Sequence, residues 1–178
     1  MKIRLARDLQ PDSIVDGEGI RTVIWTQGCT HNCPFCHNPE THSFDGGILV
    51  DISRIKEVID NLQGQTGITF SGGDPMAQPK ECMEIAKYAK EKGLDIWCYT
   101  GYTYEKLLTM GEDYINFLKY IDVLVDGPFL INEKSFDVKF RGSRNQRLID
   151  VKKTLNSNEI ILYDNEVMET TKKRRMYI

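Results

Sequence analysis

No stretch of this 178-residue chain holds the roughly 18 consecutive apolar residues of a membrane-spanning helix. The opening segment MKIRLARDLQPDS lacks the long apolar core of a secretory signal, so a cytoplasmic protein without a membrane partner is expected. Cysteine is scarce and odd in number, five in all. A disulfide framework calls for an even number and an oxidising compartment, so the cysteines are expected as reduced thiols. An excess of charge of one sign is missing too: the formal net charge is −3. That gives no global attraction to nucleic acid, and no nucleic-acid partner is expected. Internal repeats and low-complexity linkers are also lacking. With 40% apolar and 28% charged residues, a single domain over residues 1–178 is expected. A short basic tail at about 168–178, carrying Lys172, Lys173, Arg174 and Arg175, ends it; its charge fits a solvated segment or a docking strip for an acidic partner.

What the chain does have is an alternation of strand-like and helix-like segments. Residues 20–28 are β-branched and aromatic and read as a buried strand. Further strands are predicted at 67–70, 94–99 and 121–125, with short ones at 147–151 and 159–163. Between them, Ile52, Ile55, Val58, Ile59 and Leu62 fall on one helical face. A helix over 79–92 has Pro79 in its first turn and Gly93 as its stop, and 104–120 reads as largely helical. This pattern predicts an α/β fold with a mainly parallel sheet. An eight-stranded barrel takes about 250 residues, so the expectation is an open, partial (β/α) barrel of four or five strands. In such sheets chemistry lies at the carboxyl ends of the strands. Four unusual loops fall there: the cysteine loop, SGGDP, YTGY and DGPF.

Cys29, Cys33 and Cys36 occupy eight residues in the run GCTHNCPFCHN. Soft thiolates select iron–sulfur clusters or zinc over hard cations. Three thiolates on a cluster of four irons leave one iron without a protein ligand. His31 or His37 could instead complete a zinc site of three thiolates and one imidazole, and the loop by itself leaves that open. Cys82, on the apolar face of a predicted helix, and Cys98, inside a predicted strand, read as core thiols.

Placed after a first β-strand, CTHNCPFC resembles the signature of the radical SAM superfamily. The resemblance implies that Cys29, Cys33 and Cys36 hold a 4Fe–4S cluster whose free iron is chelated by S-adenosylmethionine. It further implies that Phe35 packs near the adenine, with Cys36 and His37 beside the same nucleoside. SGGDP, one β-α unit later, resembles the family's GGE motif. By that resemblance Ser71, Gly72, Gly73 and Asp74 hold the methionyl end of the cofactor. Asp74 stands where Glu is more usual, a departure seen within one branch. With both motifs in order the zinc reading recedes, although a zinc-binding interaction module remains the alternative of a different class.

Within the superfamily, DSIVDGEGIRTVIWTQGC resembles the activases of glycyl-radical enzymes. YTGY, DGPF and FRGSRNQRLID (140–150) resemble the branch that serves the anaerobic ribonucleoside-triphosphate reductase, and the likeness runs from about residue 12 to 150. It implies reductive cleavage of S-adenosylmethionine to a 5′-deoxyadenosyl radical, which abstracts hydrogen from a glycine of the reductase's large subunit. Flavodoxin or a similar small redox protein is implied as electron donor. No side chain is expected as a catalytic acid, base or nucleophile. A formate-lyase-type activase and a deazaguanine synthase are the nearest alternatives. Asp126, at a predicted strand end, is a candidate polar contact; Arg141, Arg144 and Arg147 take no individual role from the sequence.

Overall fold

The computed structural model describes residues 1–157 and 159–163. Its strands are β1 (Lys2–Leu5), β2 (Gln10–Ser13), β3 (Arg21–Thr26), β4 (Ile48–Asp51), β5 (Gly67–Gly72), β6 (Asp95–Tyr99), β7 (Val123–Asp126) and β8 (Arg147–Asp150). Its helices are α1 (Ile52–Asp60), α2 (Pro79–Glu91), α3 (Tyr104–Leu108), α4 (Glu112–Leu118) and α5 (Val151–Leu155). The strands make one sheet in the order β4-β1-β3-β5-β6-β7-β8, with β2 added on β3. The central four, β3, β5, β6 and β7, are parallel, and the flanking pairings are antiparallel. Among the described residues no pairing joins β4 to β8, so the sheet is open.

The parallel centre follows from burial on both faces. In β3 only Trp25 is not fully buried, and β7 is buried throughout. Successive side chains alternate between two cores. Ile96, Cys98, Leu124 and Ile149 face the larger core under the helices. Trp97, Val123, Val125 and Leu148 face a smaller cluster joined by Phe140 and Tyr163. Cys82 and Cys98 are fully buried, as core thiols should be.

Helix α1 buries Ile52, Ile55 and Ile59, whereas Val58, expected on the same face, is 42% exposed. Helix α2 buries Cys82, Ile85, Ala86 and Ala89 and ends at Gly93, whose φ of +80° suits a residue without Cβ. The single helix expected over 104–120 is two, α3 and α4, parted at Gly111 with φ +124°. More strands form than the four or five expected, because β1, β2 and β4 pair antiparallel beside β3. Residues 159–163 contribute one bridge, Leu162 to Ile149. The basic tail expected at about 168–178 lies outside the described residues.

Candidate active site

Parallel register brings the strand ends to a common rim. Trp25 lies opposite Ser71 and Thr26 opposite Gly72, while Tyr99 lies opposite Val125. The cysteine loop leaves β3 through Gln27 and Gly28 and is pinned at its base. Gly28 N–H donates to Thr41 O at 2.8 Å and Cys29 N–H to His42 O at 3.2 Å. Gln27 Nε2 donates to the carbonyls of Glu40 and Ser43 at 3.1 and 2.7 Å. Inside the loop, Cys36 N–H bonds Cys33 O at 3.1 Å, and Asn38 N–H points at Cys36 Sγ at 3.4 Å. Asn32 and Phe35 take left-handed backbone angles, φ +47° and +59°. Asn tolerates this conformation. For Phe it costs on the order of 1–3 kcal/mol and persists only where neighbours hold it.

Cys29, Cys33 and Cys36 line one cavity of about 350 Å³, within the range of small-molecule sites. The same cavity is lined by Ser71, Gly72 and Gly73 after β5, and by Tyr99, Thr100 and Gly101 after β6. All three thiols are free and partly exposed. Burial pushes the Cys29 thiol up, against the pull of hydrogen bonds from the backbone around His31 and Asn32. A larger groove of about 940 Å³ lies beside β4 and α1, and its lining includes no cysteine or histidine.

The glycine pair is demanded by the chain itself. A Cβ on Gly72, with φ +106°, would sit 2.5 Å from Thr26 O, and one on Gly73 would sit 2.4 Å from Gly28 O. The close approach lets Gly73 N–H bond Thr26 O and Asp74 N–H bond Gly28 O, both at 2.8 Å. The end of β5 is thereby fastened to the root of the cysteine loop. Asp74 is 2% exposed and does not line the cavity. Its Oδ1 accepts from Met76 N–H at 2.9 Å. Its Oδ2 accepts from Thr100 Oγ1 and Gly101 N–H, both at 3.0 Å, and lies 2.7 Å from His31 Nε2.

Three histidines line the cavity with the thiols: His31 is thus engaged by Asp74, the His37 ring lies 4.8 Å from that of Phe129, and His42 has a buried Nε2 without a hydrogen-bond partner among the described residues. Among the described residues no three His, Cys, Asp or Glu side chains converge on a single-ion site. A tetrahedral zinc site needs four ligands on one point. A cluster instead spreads its thiolates over separate irons. Three free thiols on one loop, facing a shared cavity, fit the cluster. Phe35 stands away from the cavity lining and is 77% exposed, so it plugs no core gap.

The two late motifs form one interlocked wall. Asn145 Nδ2 donates to Pro128 O at 2.8 Å, Gln146 Nε2 to Gly127 O at 3.1 Å, and Leu130 N–H to Ser143 Oγ at 3.2 Å. Phe129 and Gln146 then reach the cavity. Asp126 is buried and holds Arg147 and the Tyr104 N–H, so it acts inside the wall. Arg141 donates to Gln146 O at 3.0 Å, and Arg144 pairs with Asp137 at the surface.

Sequence reasoning did not single out Asp16, Trp25 or Gln146, which all line the cavity. Asp16 is carried there by the DGEGIR segment. Its carbonyl accepts from Thr69 Oγ1 at 2.7 Å, and the same hydroxyl accepts from the buried Arg21 Nε at 2.7 Å. Arg21 also bonds the carbonyls of Glu18 and Ile68 at 2.9 Å, pairs with Asp95 at 2.7 Å, and lies over Trp97. Desolvation lowers its pKa, while Asp95 opposes the shift. Strand alternation could have found Trp25, since Arg21, Val23 and Trp25 share one face of β3.

The 4Fe-4S single cluster domain family matches residues 15–149. The chain is 34% identical over 144 residues to the anaerobic ribonucleoside-triphosphate reductase-activating protein of Haemophilus influenzae, covering 76% of this chain and 91% of that protein. The protein of the same name from Enterobacteria phage T4 is 34% identical over 148 residues, 79% of this chain and 90% of that one. The pyruvate formate-lyase-activating enzyme of Clostridium pasteurianum is 38% identical over 120 residues, but these span 61% of this chain and 50% of that enzyme. Among solved structures, QueE from Escherichia coli is similar over 56% of this chain and 53% of that chain, with a TM-score of 0.49 and 13% identity, too distant a likeness to bear on function. The motifs, the cavity they share and a match over 76–79% of this chain place it in the 4Fe-4S single cluster domain family, among the anaerobic ribonucleoside-triphosphate reductase-activating proteins.

Proposed function

We propose that this protein is a radical S-adenosylmethionine activase that installs the glycyl radical on the large subunit of an anaerobic ribonucleoside-triphosphate reductase. The observation that carries the reading is the convergence of Cys29, Cys33 and Cys36 with the glycine pair on one cavity at the carboxyl rim. The group implied is a 4Fe–4S cluster that, when bound, supplies the electron for cleaving S-adenosylmethionine to the radical that takes hydrogen from glycine. The protein's part is orientation and electrostatics. Cys29, Cys33 and Cys36 would hold three irons and would leave the fourth for the cofactor. Residues 71–73 present backbone to its methionyl end, and Asp74 supports them from behind. Cys36 and His37, which line the cavity, would flank the nucleoside, and Phe35, exposed outside that lining, would pack near its adenine. The thiols act as ligands, and no side chain acts as an acid or base.

In this reading residues 1–178 form one radical SAM domain, and the open sheet is a partial (β/α) barrel of that type. Its open side suits a substrate that is a loop of another protein, since a closed barrel would leave a polypeptide no way in. A flavodoxin-like protein in the cytoplasm supplies the electron; neither membrane nor nucleic acid takes part. The formate-lyase reading is weaker, because that relative is matched over half its length. Anaerobic reconstitution with iron and sulfide tests the chemistry. A brown protein that, once reduced, converts S-adenosylmethionine to methionine and 5′-deoxyadenosine supports it. A colourless protein that retains zinc contradicts it.

A further inference from the structure

From the contacts around Asp74 we infer that His31 is a positioning residue: its bond to Asp74 latches the cysteine loop onto the loops after β5 and β6 and fixes the shape in which the three thiols receive the cluster. The inference rests on the proposed cluster-binding reading and adds a residue to it. His31 lies between the first two cysteines in sequence, and its Nε2 stands 2.7 Å from Asp74 Oδ2. Asp74 is itself immobilised. It is buried, and its carboxylate also accepts from Met76 N–H, Thr100 Oγ1 and Gly101 N–H. A buried carboxylate with several donors is a rigid anchor, and bonds to it are charge-assisted and strong.

Three further observations give the latch its shape. The His31 ring meets Tyr102 edge-on at 4.3 Å, and Thr30 Oγ1 lies 3.1 Å from Tyr102 Oη. Gly101 leaves room for the ring, since a Cβ there would lie 2.4 Å from His31 Cδ2. The segment that follows contains two left-handed residues, Asn32 and Phe35. For a bulky residue such as Phe35 this conformation persists only where the surroundings hold it. The base of the loop is pinned at Gly28 and Cys29, and His31 supplies a hold farther out, between Cys29 and Cys33. The shorter acid at position 74 thereby acquires a use. Its carboxylate meets His31 and Gly101 at the distances above, and one more methylene would carry it past them.

Hydrogen exchange on the metal-free protein tests the latch without the cluster, and iron release tests it with the cluster. In His31→Ala, amides of residues 28–42 should exchange roughly tenfold faster or more, as for loss of a charge-assisted hydrogen bond. Amides of α2 should be unchanged. His31→Gln, which can still donate to Asp74, should restore protection. Gly101→Ala should reproduce His31→Ala by displacing the ring. After reconstitution, the alanine variants should lose iron to a chelator faster than wild type, with the glutamine variant close to wild type. Wild-type exchange and iron release in His31→Ala would overturn the latch while leaving the cluster reading intact. Equal acceleration in α2 would overturn it as well, by showing a general loss of stability. A wild-type protein that takes up no iron would overturn the cluster reading, and the latch would fall with it.

Discussion

Arg147 reaches from β8 to the end of β7 and grips Asp126 with two nitrogens, Nε donating to Oδ1 at 2.9 Å. Asp126 is 1% exposed, and the same guanidinium extends to Glu105 on α3, Nη2 to Oε2 at 2.8 Å. One side chain therefore ties α3, β7 and β8 together beneath the DGPF wall. Truncating it leaves a buried carboxylate without its cation. Breaking a fully buried pair costs roughly 3–5 kcal/mol. Because the Arg147 side chain keeps 33% of its exposure, Arg147→Ala should cost less, about 2–3 kcal/mol. Urea denaturation should show a lower midpoint with an unchanged slope.

The same contact gives an acid-side signature. Hydrogen bonding to Arg147 holds Glu105 down at about 2, from an ordinary value of 4.5. A carboxylate depressed in the folded state contributes its stability above the unfolded value and loses it as pH falls toward the folded one. Stability should therefore decline between about pH 4.5 and pH 2. Glu105 is largely exposed, so the effect should be small and screened by salt. Comparing denaturation midpoints of wild type and Glu105→Gln across this range checks it, since the variant should lack that part of the decline.

Gly73→Ala should be far more damaging than an exposed Gly-to-Ala change. Its Cβ would meet backbone, Gly28 O at 2.4 Å, and neither partner can swing aside. Overpacking of this kind costs about 1–3 kcal/mol. The strain falls on the joint between β5 and the cysteine loop, so bound iron per chain should drop along with the melting temperature. Gly64→Ala is the control for space, because nothing lies within 4 Å of its Cβ position, although its φ of +89° carries a cost of its own.

Cys82→Ala and Cys98→Ala should leave iron and sulfide per chain at wild-type levels. Both side chains are fully buried, and burial raises both thiols well above their usual pKa, so they stay protonated. Each change removes one buried sulfur and should cost about 1 kcal/mol through lost packing. Loss of iron in either variant would contradict the assignment of ligands to the loop.

The parallel centre was legible because β3, β5, β6 and β7 are buried runs, which leave a strong apolar signal. The flanks were not. Strand β2 is QPDS, mostly exposed and interrupted by Pro11, and β4 is an edge strand with three exposed residues. Such strands exist through their partners rather than their composition. Helix periodicity ran across Gly111 without seeing the break, because Leu107 and Leu118 on either side are both buried. The cysteines announced themselves by spacing, and the glycine pair by its place after the second parallel strand and its resemblance to a known motif. His31–Asp74 and Arg147–Asp126 did not, being 43 and 21 residues apart. Contacts at that range leave no periodic trace.

The most direct test of the account is electron paramagnetic resonance of the reconstituted, reduced protein with S-adenosylmethionine and the large subunit of the anaerobic ribonucleoside-triphosphate reductase. The account predicts a glycyl-radical doublet that disappears with Cys33→Ala. A protein that carries an intact cluster and cleaves S-adenosylmethionine, yet gives no doublet on the reductase, would contradict it.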